Sequence, residues 1–127
     1  MNKNLSITTF LGITAIVLGA FATHSLKEKL TIDAMDGLET AIRYQMYHVI
    51  VLLFVNSYKE FTSRLKNIIS LFFFFGILFF SGSIYSIYLL GVSAKSIWFI
   101  TPLGGLLFIL GWGIMFLFFV KKVMNKK

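Results

Sequence analysis

Cysteine is absent from the 127 residues, which removes disulfide frameworks, thiolate metal centres and cysteine nucleophiles together and leaves the redox compartment open. Charge is scarce as well. Only 13% of residues are Asp, Glu, Lys or Arg, against roughly a quarter in soluble domains. Five acidic residues face twelve basic ones, giving a net charge of +7. So few charges cannot cover a soluble globule in which 57% of residues are hydrophobic and 15 are Phe; such a chain belongs in lipid. The basic excess lacks a recognition helix or an aromatic-basic platform in an aqueous domain, which argues against nucleic acid as partner.

Four uncharged stretches divide the chain: Asn4 to Leu26, Tyr44 to Tyr58, Asn67 to Ala94 and Ser96 to Val120. A helix needs about 20 residues to cross about 30 Å of hydrocarbon. The second stretch is too short and must borrow from its flank, where Asp33 offers an N-cap. That extension draws Glu39 and Arg43 toward the interface, at i and i+4 where they can pair. Thr101 and Pro102 read as a capping hydroxyl followed by proline at the first helical position. The spacing predicts an all-α integral membrane protein, a bundle of four transmembrane helices over residues 5–26, 34–58, 67–91 and 101–123 in a single membrane domain, 1–127.

With four spans, Lys3, Lys59, Arg64, Lys66, Lys121, Lys122, Lys126 and Lys127 share one side and Lys27, Lys29, Arg43 and Lys95 the other. Eight against four predicts both termini in the cytoplasm of a bacterial cell membrane. Lys3 followed by an apolar run and Ala20-Phe21-Ala22 also resembles a cleavable secretory signal. Against cleavage, Gly12, Ala15, Gly19 and Ala22 form a small-residue stripe suited to close helix approach, as do Gly104 and Gly111 in the last span.

Polar groups inside spans are costly and face the bundle interior. Helix direction places His24, Glu39, Arg43, Gln45, His48, Ser81, Ser83 and Thr101 in one leaflet, the outer one, and leaves the inner half nearly pure hydrocarbon apart from Asn56. Ala41, Gln45, His48 and Leu52 share a face of the second helix.

Four separated segments carry a family likeness: Gly19 to Leu26, Thr40 to His48, Phe80 to Tyr85 and Ile100 to Gly105. Together they resemble the domain of unknown function 423 family, small four-span bacterial membrane proteins that are similar to the eukaryotic transmembrane protein 256. Thr23 departs from the Ala or Gly of the family pattern. The resemblance implies a multi-pass membrane protein and carries no activity with it.

The polar layer contains no nucleophile-and-base arrangement. Ser81 and Ser83 lack a Gly-x-Ser-x-Gly context and no paired Asp lies within a span, so no enzymatic role is expected. The reading is a non-enzymatic binding or accessory protein with a polar site between helices, whose partners are membrane lipid, a second copy or another membrane protein. Two alternatives stand beside it. A proton-linked transporter or channel would titrate through His24, His48 and Glu39. A haem or metal protein would use the two histidines, although no Glu-x-x-His repeat is present, and no cofactor is expected.

Overall fold

The computed structural model describes residues 2–126; Met1 and Lys127, the latter counted above among the basic residues of one side, lie outside them. Helix α1 (Asn2–Phe21) continues into a π-helical turn (Ala22–Leu26), followed by α2 (Ile32–Ser57), α3 (Ser63–Leu90) and α4 (Ile100–Asn125). No strand occurs among the described residues.

The helix starts differ from those expected, for local reasons. Thr31, not Asp33, caps α2, its hydroxyl accepting from the Ala34 amide at 3.1 Å. Asp33 falls inside the first turn, where its charge favours the positive end of the helix dipole. Thr62 caps α3 in the same way through the Leu65 amide, so α3 starts before Arg64 and Lys66 instead of after them. Charged residues end a hydrophobic run without ending the helix. Thr101 caps nothing, because α4 starts one residue earlier and Phe99 occupies its N-cap in helical conformation. Pro102 sits in the first turn, where a missing amide costs no intrahelical bond. Thr31→Ala is expected to lose about 1 kcal/mol of stability, read as a lowered thermal midpoint in detergent.

The far end of α1 is not plain α-helix. At Ala22–Leu26 the turn widens to the π register, and the Thr23 hydroxyl donates to the Gly19 carbonyl at 2.9 Å. At the end of α3, Gly91 takes φ +73°, and the Val92 amide reaches back to the Ser86 carbonyl at 3.1 Å. A left-handed residue ends a helix most cheaply when it has no Cβ.

Three helical segments are long and apolar enough to cross a membrane: Asn2–Leu26, Ser63–Leu90 and Ile100–Asn125. Helix α2 has the length, about 39 Å for its 26 residues, but carries Asp33, Asp36, Glu39 and Arg43 in its first half. It is also the best-packed helix. Ala34, Leu38, Ala41, Gln45, His48, Leu52 and Val55, alternately four and three apart, are all buried. The main helix contacts follow chain order, α1 on α2, α2 on α3 and α3 on α4. The core joins Leu52 and Val55 of α2, Ile69, Phe73 and Ile77 of α3, and Phe108 and Met115 of α4, closed at one end by Phe61. Phe10, Ile13 and Ile16 of α1 and Ile109, Phe116 and Leu117 of α4 point outward.

Helices α3 and α4 meet through glycines. A Cβ on Gly104 would lie 2.2 Å from the Phe80 backbone nitrogen. One on Gly111 would lie 2.5 Å from the Phe73 ring, and one on Gly76 2.5 Å from the Phe108 ring. Each helix thus sets a phenyl ring over a glycine of the other. The small-residue stripe of α1 makes looser contact: a Cβ on Gly12 would meet Val49 at 3.4 Å and one on Gly19 would meet Ile42 at 3.8 Å, while Ala15 is buried.

Candidate functional site: a polar layer that ties the helices together

Gln45 and His48 lie on the buried seam of α2 and look in different directions. The Gln45 amide nitrogen donates to the Leu11 carbonyl at 2.8 Å and to the Thr14 hydroxyl at 2.9 Å, both on α1. Its amide oxygen accepts from the Tyr85 hydroxyl of α3 at 2.7 Å. One side chain, 2% exposed, therefore holds three helices together.

His48, 5% exposed, faces α4 instead. Its ring stacks on Phe108 with centroids 3.7 Å apart and planes 7° from parallel, and the edge of Trp112 closes the other approach. The Trp112 indole nitrogen is only a donor, and it points at Nε2 from 3.1 Å. The Tyr44 carbonyl is only an acceptor and lies 2.7 Å from Nδ1. These two partners assign the ring as the tautomer with its proton on Nδ1 and a lone pair on Nε2.

The remaining polar residues form further pairwise ties. The Ser81 hydroxyl donates to the Ala41 carbonyl of α2 at 2.7 Å, and Ser83 hydrogen-bonds to Thr101 of α4. Of the eight residues expected in one site, Gln45, His48, Ser81, Ser83 and Thr101 are thus used between helices. His24, Glu39 and Arg43 are exposed instead, and Glu39 and Arg43 form no ion pair with each other. His24 lies in the π-helical turn at the end of α1. His48 lies 16 residues into α2, about 24 Å from its start, against α4. The two histidines do not face each other.

Gln45 and His48 stand midway along α2, level with Thr14 of α1 and Trp112 of α4, because α2 carries three charged turns before them. The half read from the sequence as nearly pure hydrocarbon is not so. The Asn56 amide nitrogen donates to the Ser70 hydroxyl at 2.9 Å, and its oxygen accepts from Asn4 at 3.0 Å; Asn4 also reaches Asn67 at 2.9 Å. Thr8 is buried beside them, bonded to the Asn4 carbonyl. This second layer binds α1, α2 and α3 near the opposite end of the molecule. Among the described residues no buried side-chain nitrogen or oxygen lacks a partner.

Trp112, Thr14, Thr8 and Ser70 were missed as members of these layers. Trp112 carried a signal: an indole in the middle of an apolar helix is far from the interfacial belt and needs an acceptor within the bundle. Ser70 and Thr8 carried none, since a helical Ser or Thr can satisfy itself on its own backbone.

Beside the layer, α2 and α4 leave an open groove of about 600 Å³. Tyr44, His48, Phe80, Leu106, Ile109 and Trp112 line it. No group of three or more His, Asp or Glu residues that could hold a metal ion occurs among the described residues.

A family model described as a protein of unknown function (DUF423) matches residues 18–105. A UPF0382 membrane protein of Staphylococcus saprophyticus is 43% identical over 98 residues, covering 77% of this chain and 80% of its own. A UPF0382 membrane protein of Haemophilus influenzae is 36% identical over 111 residues, 87% of this chain and 88% of its own. The UPF0382 inner membrane protein YgdD of Escherichia coli K12 is 30% identical over 112 residues, 82% and 79% of the two chains. No solved structure matches the chain. The matched segment runs from the end of α1 to the start of α4 and so contains Gln45, His48 and their α3 partners; the chain belongs to the DUF423 family.

Proposed function

We propose that this protein is a non-enzymatic binding or accessory protein of the bacterial cytoplasmic membrane, crossing it four times with both termini inside. One observation carries the reading: each buried polar side chain is engaged in holding one helix to another or to its own backbone, leaving none poised for chemistry. A proton path through one chain has less support, because His48 and Asn56 are eight residues apart, about 12 Å of helix, packed with Val49, Leu52 and Phe73. The bound molecule is a membrane lipid, its acyl chain lying in the groove between α2 and α4, whose walls are apolar and which opens sideways.

The relatives named as membrane proteins support the location, and the eight-to-four distribution of basic residues supports the orientation. The absence of native cysteine makes orientation directly measurable. In spheroplasts Ser93→Cys is expected to react with an impermeant maleimide and Ser63→Cys only after lysis; the reverse pattern overturns the topology. For binding, native mass spectrometry from mild detergent is expected to show retained lipid. Gly105→Leu should abolish the retention without unfolding, since its Cβ meets only Phe80 at 4.0 Å and the added side chain enters the groove. A wild-type protein that retains no lipid and gains no thermal stability from added lipid would sink the proposal.

A further inference from the structure

A second concave site lies at the other face of α2, in the turn that joins it to α1. The π-helical turn and the first two turns of α2 enclose a pocket of about 300 Å³. Lys27 and Thr23 line it on one side, Asp36 and Glu39 on the other, with Ile32 and Met35 also in its wall. Asp36 and Glu39 are three apart and so project from one face of α2. Neither carboxylate forms an ion pair among the described residues, although Lys27 lines the same pocket. Charges of opposite sign share a cavity across a gap that they do not close.

We propose that this pocket takes a zwitterionic group, an ammonium at Asp36 and Glu39 and a phosphate at Lys27, and that its source is the phosphoethanolamine headgroup of a membrane lipid. Three features fit that chemistry. An ammonium offers three N–H donors to two acceptor-only carboxylates, and the phosphate takes up the one ammonium on the opposite wall. The pocket sits at the end of an apolar span, at headgroup level for the leaflet that holds the α1–α2 turn. Ile32, 81% exposed at the pocket wall, places an apolar side chain where the lipid's acyl chains begin. The π register contributes by widening the end of α1 at Thr23, and single π turns often mark functional sites. The site is separate from the groove between α2 and α4.

The full-length protein in detergent tests this by thermal stability against short-chain lipids. In the Gly105→Leu background, where the groove is filled, dihexanoyl phosphatidylethanolamine is expected to stabilise it saturably and dihexanoyl phosphatidylglycerol not at all. Lys27→Gln and Glu39→Gln, both at exposed positions, should keep the basal midpoint and weaken half-saturation by about tenfold or more, the scale of losing one hydrogen bond to a charged group. Free O-phosphoethanolamine giving the same shift at the same concentration would support the zwitterion pocket but move its source from lipid to solution. Equal shifts with both lipids, no shift with either, or unaltered half-saturation in both variants would overturn the proposal. Gly105→Leu should leave this response intact, so failure here is distinguishable from failure of the groove.

Discussion

Gly104→Ala is expected to be the most damaging single methyl in the molecule. The added Cβ would stand 2.2 Å from the Phe80 nitrogen and 2.8 Å from its Cα, so it meets backbone, which no rotamer change can move aside. The helices must separate, and the two phenyl rings set over Gly76 and Gly111 lose their seats together. Overpacking a core costs about 1–3 kcal/mol and more when the obstacle is rigid, while alanine returns up to about 1 kcal/mol of helix propensity. A net loss of about 3 kcal/mol is expected, measured as the shift of a reversible unfolding curve in mixed micelles. Gly113→Ala is the control. Nothing lies within 4 Å of its added methyl, so it should be neutral or stabilising by up to about 1 kcal/mol. A Gly104→Ala protein as stable as Gly113→Ala would refute the close crossing of α3 and α4.

Gln45→Leu should have the next largest effect, although it keeps the side chain close to the same size. It removes two donors to α1 and the acceptor for Tyr85, leaving that hydroxyl without its partner on α2. Interhelical hydrogen bonds in membranes average about 0.6 kcal/mol and reach about 1.7 kcal/mol. With an orphaned hydroxyl costing about 1–3 kcal/mol where water is excluded, the loss should be about 2 kcal/mol. Tyr85→Phe in the Gln45→Leu background separates the terms. If the hydroxyl is the main cost, the double variant recovers part of the loss, with a coupling of about 1 kcal/mol. Additive single effects would mean that the two side chains do not depend on each other.

Much of this arrangement can be read before the fold is known, and the places where that reading stops have physical causes. The shared face of Ala41, Gln45, His48 and Leu52 follows from helical spacing alone, and all four are buried. What each polar member points at does not follow. Gln45 and His48 are three residues apart, yet one faces α1 and α3 and the other α4, because α2 is packed on more than one side. A stripe gives a direction from one helix axis and says nothing about how many neighbours lie there. Glu39 and Arg43 illustrate the converse. Their i and i+4 spacing permits a pair, but on an exposed face the attraction hardly exceeds the cost of ordering two long side chains.

Composition and spacing were enough to establish an all-helical chain with long apolar segments, because in hydrocarbon a continuous apolar run of about 20 residues satisfies its own backbone hydrogen bonds as a helix, whereas barrel strands are short and alternate. They were enough to mark the seam of α2 and two of the glycines at the tightest helix crossing. Only the packed structure decided that the scarce polar residues close on one another in separate ties, that His48 belongs to Trp112 and has no contact with His24, and that Asn56 has company. Those outcomes depend on which helices neighbour which and at what height. Neighbourhood and height are set by the sum of many apolar contacts along whole helices, and no short stretch of residues contains that sum.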